Sequence, residues 1–243
     1  HRRPRHGALD QSRWGHVPVL YEEVNCVGTL QLLEAARRAR AGNFVFASSS
    51  SVYGINSKVP FSEEDPITCP ISPYASTKRA GELMCYTYSH LYEMPVTCLR
   101  FFTVYGERGR PDMAVAKFTR LVWEGKEIPV YGDGTARRDF TYVGDIIDGL
   151  LNSIYKPSRY EIINLGGANI IEVNRLISLI EESLGKKAAV RYGETVPGDV
   201  PITYADVSKA KRLLGFAPKV RIEEGVARYV RWFLERQKRL AGA

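Results

Sequence analysis

Asn43-Phe44-Val45-Phe46-Ala47-Ser48-Ser49-Ser50-Ser51-Val52-Tyr53-Gly54 is a short apolar run with aromatic and branched residues that ends in four hydroxyls. A loop rich in Pro and Ser follows from Gly54 to Pro73, and then Tyr74-Ala75-Ser76-Thr77-Lys78 opens an apolar-periodic segment reaching about Tyr92. The first run reads as a buried parallel strand over 44–48, the second as a helix behind Pro73. In open α/β sheets ligands bind outside the carboxyl ends of the strands, which is where Ser48 to Ser51 fall. Taken singly, the serines are a polar strand end and Tyr74 a helix-capping aromatic. Taken together, they place a hydroxyl beside a tyrosine whose lysine neighbour lies one helical turn on.

That grouping suits proton transfer at a carbinol. A free tyrosine titrates near pH 10, so roughly one molecule in a thousand is phenolate at neutral pH. Lys78 lies on the face of Tyr74 and favours the charged form. Lowering the pKa by about three units takes about 4 kcal/mol, more than one exposed ion pair supplies, so a second positive charge or a dry pocket is implied.

Outward from this segment the pattern alternates. Apolar residues Val24, Val27, Leu30, Leu33 and Ala36 predict a helix over 22–40 with Gly42 as its stop. Pro95 to Arg100 begins another strand, and helix, strand, helix, strand is the alternation of a parallel sheet with right-handed crossovers. Further on, helices are expected at 112–123, 143–155, 172–184, 206–214 and 223–236, with strands at 128–131 and 160–165.

The bulk properties limit the function classes. With 243 residues and 44% apolar content the chain can bury a core as one large or two small domains. No apolar stretch is long enough to span a bilayer, and the basic N-terminal run is followed by no apolar region of a secretory signal. Cys26, Cys69, Cys85 and Cys98 lack metal-ligand spacing, so no metal is expected and the thiols read as reduced ones of a cytoplasmic protein. Arg2, Arg3, Arg5 and Arg13 against Asp10 account for +3 of the formal +7, and the rest of the basic residues are scattered. A modestly basic body suits a diphosphate ligand better than nucleic acid.

Several ordered motifs now carry a resemblance. Val24-Asn25-Cys26-Val27-Gly28-Thr29, the serine run with Val52-Tyr53-Gly54, and Tyr74 to Lys78 are followed by Leu99-Arg100-Phe101-Phe102-Thr103-Val104-Tyr105-Gly106, Arg138-Asp139-Phe140-Thr141-Tyr142-Val143 and Pro197-Gly198-Asp199. From about Tyr21 onward the chain resembles the extended short-chain dehydrogenase/reductases, in the NAD-dependent epimerase/dehydratase branch, and most of all the UDP-glucuronate 4-epimerases. The resemblance implies a Rossmann-like doubly wound parallel sheet, here incomplete, over 21–102 plus 140–167. It implies a smaller α/β substrate domain over 103–139 plus 168–243, behind an atypical basic segment at 1–20.

It also implies roles. Ser49, Tyr74 and Lys78 are the expected catalytic residues, with Tyr74, Lys78, Phe102, Asn25 and Ser48 on NAD. Ser49, Ser50, Thr103, Arg110, Arg138 and Asp199 are expected on a UDP-sugar. In such enzymes the tyrosine takes the sugar 4-hydroxyl proton, hydride passes to the nicotinamide, and the 4-keto sugar turns over and is reduced on its other face. Related 4,6-dehydratases carry an acid just before Val-Tyr-Gly, where this chain has Ser50 and Ser51; the missing carboxylate favours epimerisation. Thr103 and Arg110 are associated with a sugar carboxylate, which a planar guanidinium takes bidentately, although a solvated basic loop is the competing reading of Arg110. Helices 22–40 and 73–92 are the expected homodimer contact.

A glycine-rich phosphate turn after the first strand, expected of a dinucleotide fold, is absent from these 243 residues, and His1 to Val19 does not match relatives. Two readings stay open: an epimerase of which this chain is a fragment, and an inactive protein that keeps a nucleotide-sugar pocket or an oligomer surface.

Overall fold

The computed structural model describes residues 17–56, 58–167, 169–195 and 202–242. Residues 1–16, Val196 and the Pro197-Gly198-Asp199 motif lie outside them.

The chain enters through α1 (Pro18–Tyr21), a π-helical stretch Glu22–Val27 and α2 (Gly28–Arg38). It then runs through β1 (Phe44–Ser49), a 3-10 turn Ser50–Tyr53, α3 (Pro73–Tyr92) and β2 (Val96–Phe101). With β6 (Tyr160–Leu165) these strands make a parallel sheet in the order β1-β2-β6, in which Ser48 pairs with Arg100, Ser49 with Phe101 and Arg100 with Asn164. Leu33, Phe46, Cys85, Tyr88, Val96 and Cys98 pack α2 and α3 onto one face. Leu99, Ile163 and Leu165 pack on the other against α5 (Val143–Tyr155) and α7 (Ser208–Leu214), the latter through Ala210 and Leu214.

Directly after β2, β3 (Thr103–Tyr105) leaves for a second sheet with β5 (Arg137–Tyr142) and β7 (Asn169–Glu172), in the order β3-β5-β7. A third pairing joins β4 (Ile128–Tyr131) to β8 (Val190–Gly193). α4 (Ala114–Trp123), α6 (Val173–Leu184) and α8 (Ile222–Ala241) bury the largest core, around Phe118, Phe140, Leu176, Ile180, Val226 and Phe233. The α/β class with a parallel sheet holds. The short strands β3, β5, β7 and β8 were not foreseen.

Val24, Val27 and Leu30 are 60%, 51% and 43% exposed, while Cys26, Thr29 and Leu33 are buried. Residues three apart drift around a helix of 3.6 residues per turn, so Leu33 lies on the buried side while Val24, Val27 and Leu30 do not.

Two local devices fix α3. Ser72, in extended backbone, accepts a hydrogen bond from the Ala75 amide at 3.1 Å, and Pro73 follows at the first helical position. Gly81 lets the helix lie close on β1, because a Cβ there would fall 2.3 Å from the Phe46 ring. The height of Tyr74 and Lys78 above the strand end therefore depends on a glycine two turns into the helix.

Candidate active site

The end of β1 sorts its serines by depth. The Ser48 hydroxyl points inward and donates to Glu82 Oε1 at 2.6 Å. Ser49 caps the 3-10 turn, accepting from the Ser51 amide at 3.2 Å, and its hydroxyl also hydrogen-bonds the Tyr74 phenol. Ser50 is half-buried at the start of the turn.

Tyr74 and Lys78 share one face of α3, as their spacing requires. The Lys78 ammonium lies 5.7 Å from the Tyr74 ring centre and 5.4 Å from that of Phe46, and it donates to the Ala47 carbonyl at 3.0 Å. Burial alone pushes the Lys78 pKa down. Burial pushes the Tyr74 phenol up, against the hydrogen bond from Ser49 and the positive charge of Arg110, with Tyr21 adding to the rise. The charge that works on Tyr74 from within the protein is thus Arg110, where the sequence pointed to Lys78. A phenol held above its ordinary value needs a further cation before it can serve as a base at neutral pH.

Tyr21 was missed from sequence. Its ring stands edge-on to Tyr74 with centres 5.8 Å apart, and it is buried. Asn25, half-buried, donates to Thr77 Oγ1 at 2.9 Å, and Thr77 donates to the Tyr74 carbonyl. This ties the π-helical stretch to the first turn of α3.

Beneath the hydroxyls lies a buried polar network that the sequence reading also passed over. Arg100 and Glu82, 1% and 0% exposed at their side chains, pair through two hydrogen bonds of 2.8 and 2.9 Å. Arg100 also donates to the Tyr53 hydroxyl, which donates to Asn164. Glu82 stands four residues beyond Lys78, so Tyr74, Lys78 and Glu82 form one row down the helix. That spacing was the available signal.

The remaining candidates are placed by other elements. Thr103 opens β3 two residues beyond Phe101, the partner of Ser49, and sits half-buried opposite Phe140. Arg110 forms an ion pair with Asp112 in the loop before α4, its Nε donating to Oδ1 at 3.1 Å. Arg138, on β5 opposite Ile171, donates to the Arg137 carbonyl. Its neighbour Asp139 is fully buried and accepts from the amides of Gly167 and Ala205, which gives that motif a structural task. Phe102 is 6% exposed and packs on Tyr53 and Phe61. The side chains of Ser48 and Phe102 are therefore turned into the interior.

The described residues contain no group of three or more His, Cys, Asp or Glu able to hold a metal ion, and no helix long and apolar enough to cross a membrane. A family model described as GDP-mannose 4,6 dehydratase matches residues 12–229. The chain belongs to the NAD-dependent epimerase/dehydratase family. Relatives within it include an uncharacterised protein of Methanocaldococcus jannaschii, 53% identical over 90% of this chain and 67% of its own length. The UDP-glucuronate 4-epimerase of Thermodesulfobacterium geofontis is 47% identical, again over 90% of this chain and 67% of its own. Among solved structures, the UDP-glucuronic acid 4-epimerase of Bacillus cereus, in complex with UDP-glucuronic acid and NAD, superposes with a TM-score of 0.87 at 36% identity. That match covers 93% of this chain and 72% of the other. This member of the family thus spans about two thirds of the length of the curated relatives it matches.

Proposed function

We propose that this chain carries the sugar-handling and proton-transfer side of a UDP-glucuronate 4-epimerase that works with NAD. The observation behind it is the hydrogen-bonded Ser49–Tyr74 pair, with Lys78 one turn on and the Arg110 charge acting on the same phenol. The names of the Thermodesulfobacterium and Bacillus relatives support the substrate class. Although the family model bears a dehydratase's name, Ser50 and Ser51 stand where an elimination needs an acid, which favours epimerisation.

The residues around Tyr74 fit the nicotinamide-ribose end of NAD. Lys78 has three N–H donors and spends one on the Ala47 carbonyl, which leaves donors for a diol. Asn25 is held beside the same helix turn by Thr77, whereas Ser48 and Phe102 would contribute through their backbones. When bound, NAD supplies a reversible hydride acceptor at the sugar carbinol carbon. Ser49 hydrogen-bonds the sugar 4-hydroxyl, and Tyr74 accepts its proton and returns it. Thr103 and Arg110 hold the sugar carboxylate; Arg138, and Asp199 beyond the described residues, hold the nucleotide diphosphate and ribose. In this reading 21–102 plus 140–167 form the cofactor-facing unit, and 103–139 plus 168–243 the substrate unit.

The 243 residues contain no glycine-rich turn to receive a pyrophosphate, so we expect the isolated chain to retain no NAD and to show little or no epimerisation. Denaturing the purified chain and assaying released nicotinamide tests this, and a stoichiometric yield overturns it. Titration with UDP-glucuronate tests the pocket independently, and absence of binding overturns the substrate assignment. We assign the protein to the cytoplasm, in keeping with its four free cysteines. We also assign it a homodimer through the outer faces of α2 and α3. Val27 and Leu30 on the first segment, with Leu83, Tyr86 and Leu91 on α3, leave an apolar surface there that a second copy would cover.

A further inference from the structure

A cleft of about 480 Å³ lies between residues 108–111 and the C-terminal half of α8, lined by Arg108, Gly109, Pro111, Trp232, Arg236 and Arg239. That volume falls within the range of small-molecule sites. Two other clefts carry both signs of charge, one with Glu181, Glu182, Lys186 and Lys187, the other with Asp145, Asp148 and Lys219, and so compensate themselves. This one is lined by three guanidinium groups and no carboxylate. Arg239 has a carboxylate at 3.8 Å, Glu235, but among the described residues no ion pair engages Arg108 or Arg236. Arg236 is instead laid over the Trp232 ring, 5.8 Å from its centre.

Three like charges around one cavity repel each other, and the arrangement becomes favourable when a polyanion fills it. Guanidinium forks match phosphate oxygens bidentately, and an indole offers a flat apolar face for a planar ring. Arg108 sits in the left-handed backbone region, at φ 60°, inside a turn closed by the Gly109 amide on the Gly106 carbonyl at 3.1 Å. We propose that this cleft is a second ligand site that takes a nucleoside diphosphate, its base against Trp232 and its phosphates among Arg108, Arg236 and Arg239. None of these side chains is among those proposed above to touch sugar or cofactor. Gly109 and Pro111 flank Arg110, so the ligand would rest against the loop whose charge acts on Tyr74.

The test is calorimetric titration of the intact chain with ADP, pyrophosphate and adenosine, together with tryptophan fluorescence. Saturable ADP binding that quenches fluorescence is expected, with the quench lost in Trp232→Phe. The Arg236→Ser/Arg239→Ser double variant, both positions exposed on α8, should weaken ADP by about tenfold or more, while Arg212→Ser, exposed on α7, leaves it unchanged. Absence of saturation, equal binding by the double variant, or an equal loss in Arg212→Ser overturns the site. Pyrophosphate binding as tightly as ADP removes the role of Trp232 and overturns the nucleotide assignment. A single-stranded oligonucleotide binding far more tightly than ADP does so in favour of nucleic acid.

Discussion

Glu82 and Arg100 meet through two charge-assisted hydrogen bonds directly beneath the carboxyl end of β1, and Ser48 closes the group from above. Two charges taken out of water are costly unless nearly every donor and acceptor is satisfied. Here Arg79 and Ser48 join Arg100 on the carboxylate, and Tyr53 takes a further guanidinium proton. Arg100→Leu therefore strands a buried carboxylate and should cost about 3–5 kcal/mol in denaturant unfolding. The double change Arg100→Leu/Glu82→Leu should recover much of that loss. A single variant as stable as the double would show that the pair is dispensable.

The same pair sets an acid limit. Burial raises the Glu82 pKa, but the hydrogen bonds and charge of Arg100, with those of Ser48 and Arg79, outweigh it and leave the carboxyl below its ordinary value. A depressed carboxylate contributes stability that is present above its unfolded pKa, about 4.3, and is lost as pH falls through the folded value. Unfolding midpoints should hold steady at neutral pH and drop in the acid range below that point. Glu82→Gln should flatten the drop.

Tyr74 titrates in the opposite sense from what a base requires, because burial outweighs the help of Ser49 and Arg110. Ultraviolet difference titration of the chain against Tyr74→Phe should place this phenol above pH 10, the value of a free tyrosine. Arg110→Ala should move it higher still. In a full-length relative carrying the same residues, Tyr74→Phe should abolish hydride exchange at the sugar C4 and leave UDP-sugar binding nearly intact. Loss of binding instead would count against its role as base.

The parts of this picture legible in the sequence were those encoded locally. The strand at Phe44–Ser49, the helix capped by Ser72 and Pro73, and the one-turn offset of Tyr74 and Lys78 follow from residue type and spacing. The Ser49–Tyr74 contact joins two such local signals. What was not legible depends on tertiary placement. Tyr21 reaches Tyr74 only through the packing of the first helical segment on α3, and Arg110 acts on Tyr74 only through the path of the loop after β3. Val24, Val27 and Leu30 have the spacing of a core face yet lie outside, since periodicity reports an apolar stripe and not what covers it.

The Arg110 guanidinium is already engaged by Asp112, so its value to a substrate is the difference between two carboxylates. A sugar acid can share the fork; a neutral sugar gains little from it. Arg110→Glu should therefore weaken UDP-glucuronate far more than UDP-glucose, by at least about tenfold for the loss of a charged hydrogen bond. Equal losses for the two sugars would sink the glucuronate assignment.

Gly81 offers a test of site geometry that leaves every site residue in place. A methyl group at this position would meet the Phe46 ring at 2.3 Å, and Phe46 also lies under the Lys78 ammonium. Gly81→Ala gains about 1 kcal/mol of helix propensity but must displace either the ring or the helix, a strain of about 1–3 kcal/mol. The net stability change should be small or unfavourable. The phenol titration of Tyr74 should shift measurably, because α3 is lifted from β1 and Ser49 is drawn out of hydrogen-bond range. Pairing Gly81→Ala with Phe46→Leu removes the clash and should restore the Tyr74 titration. An unchanged titration in Gly81→Ala alone would mean that the close approach of helix and strand does not set the Ser49–Tyr74 contact.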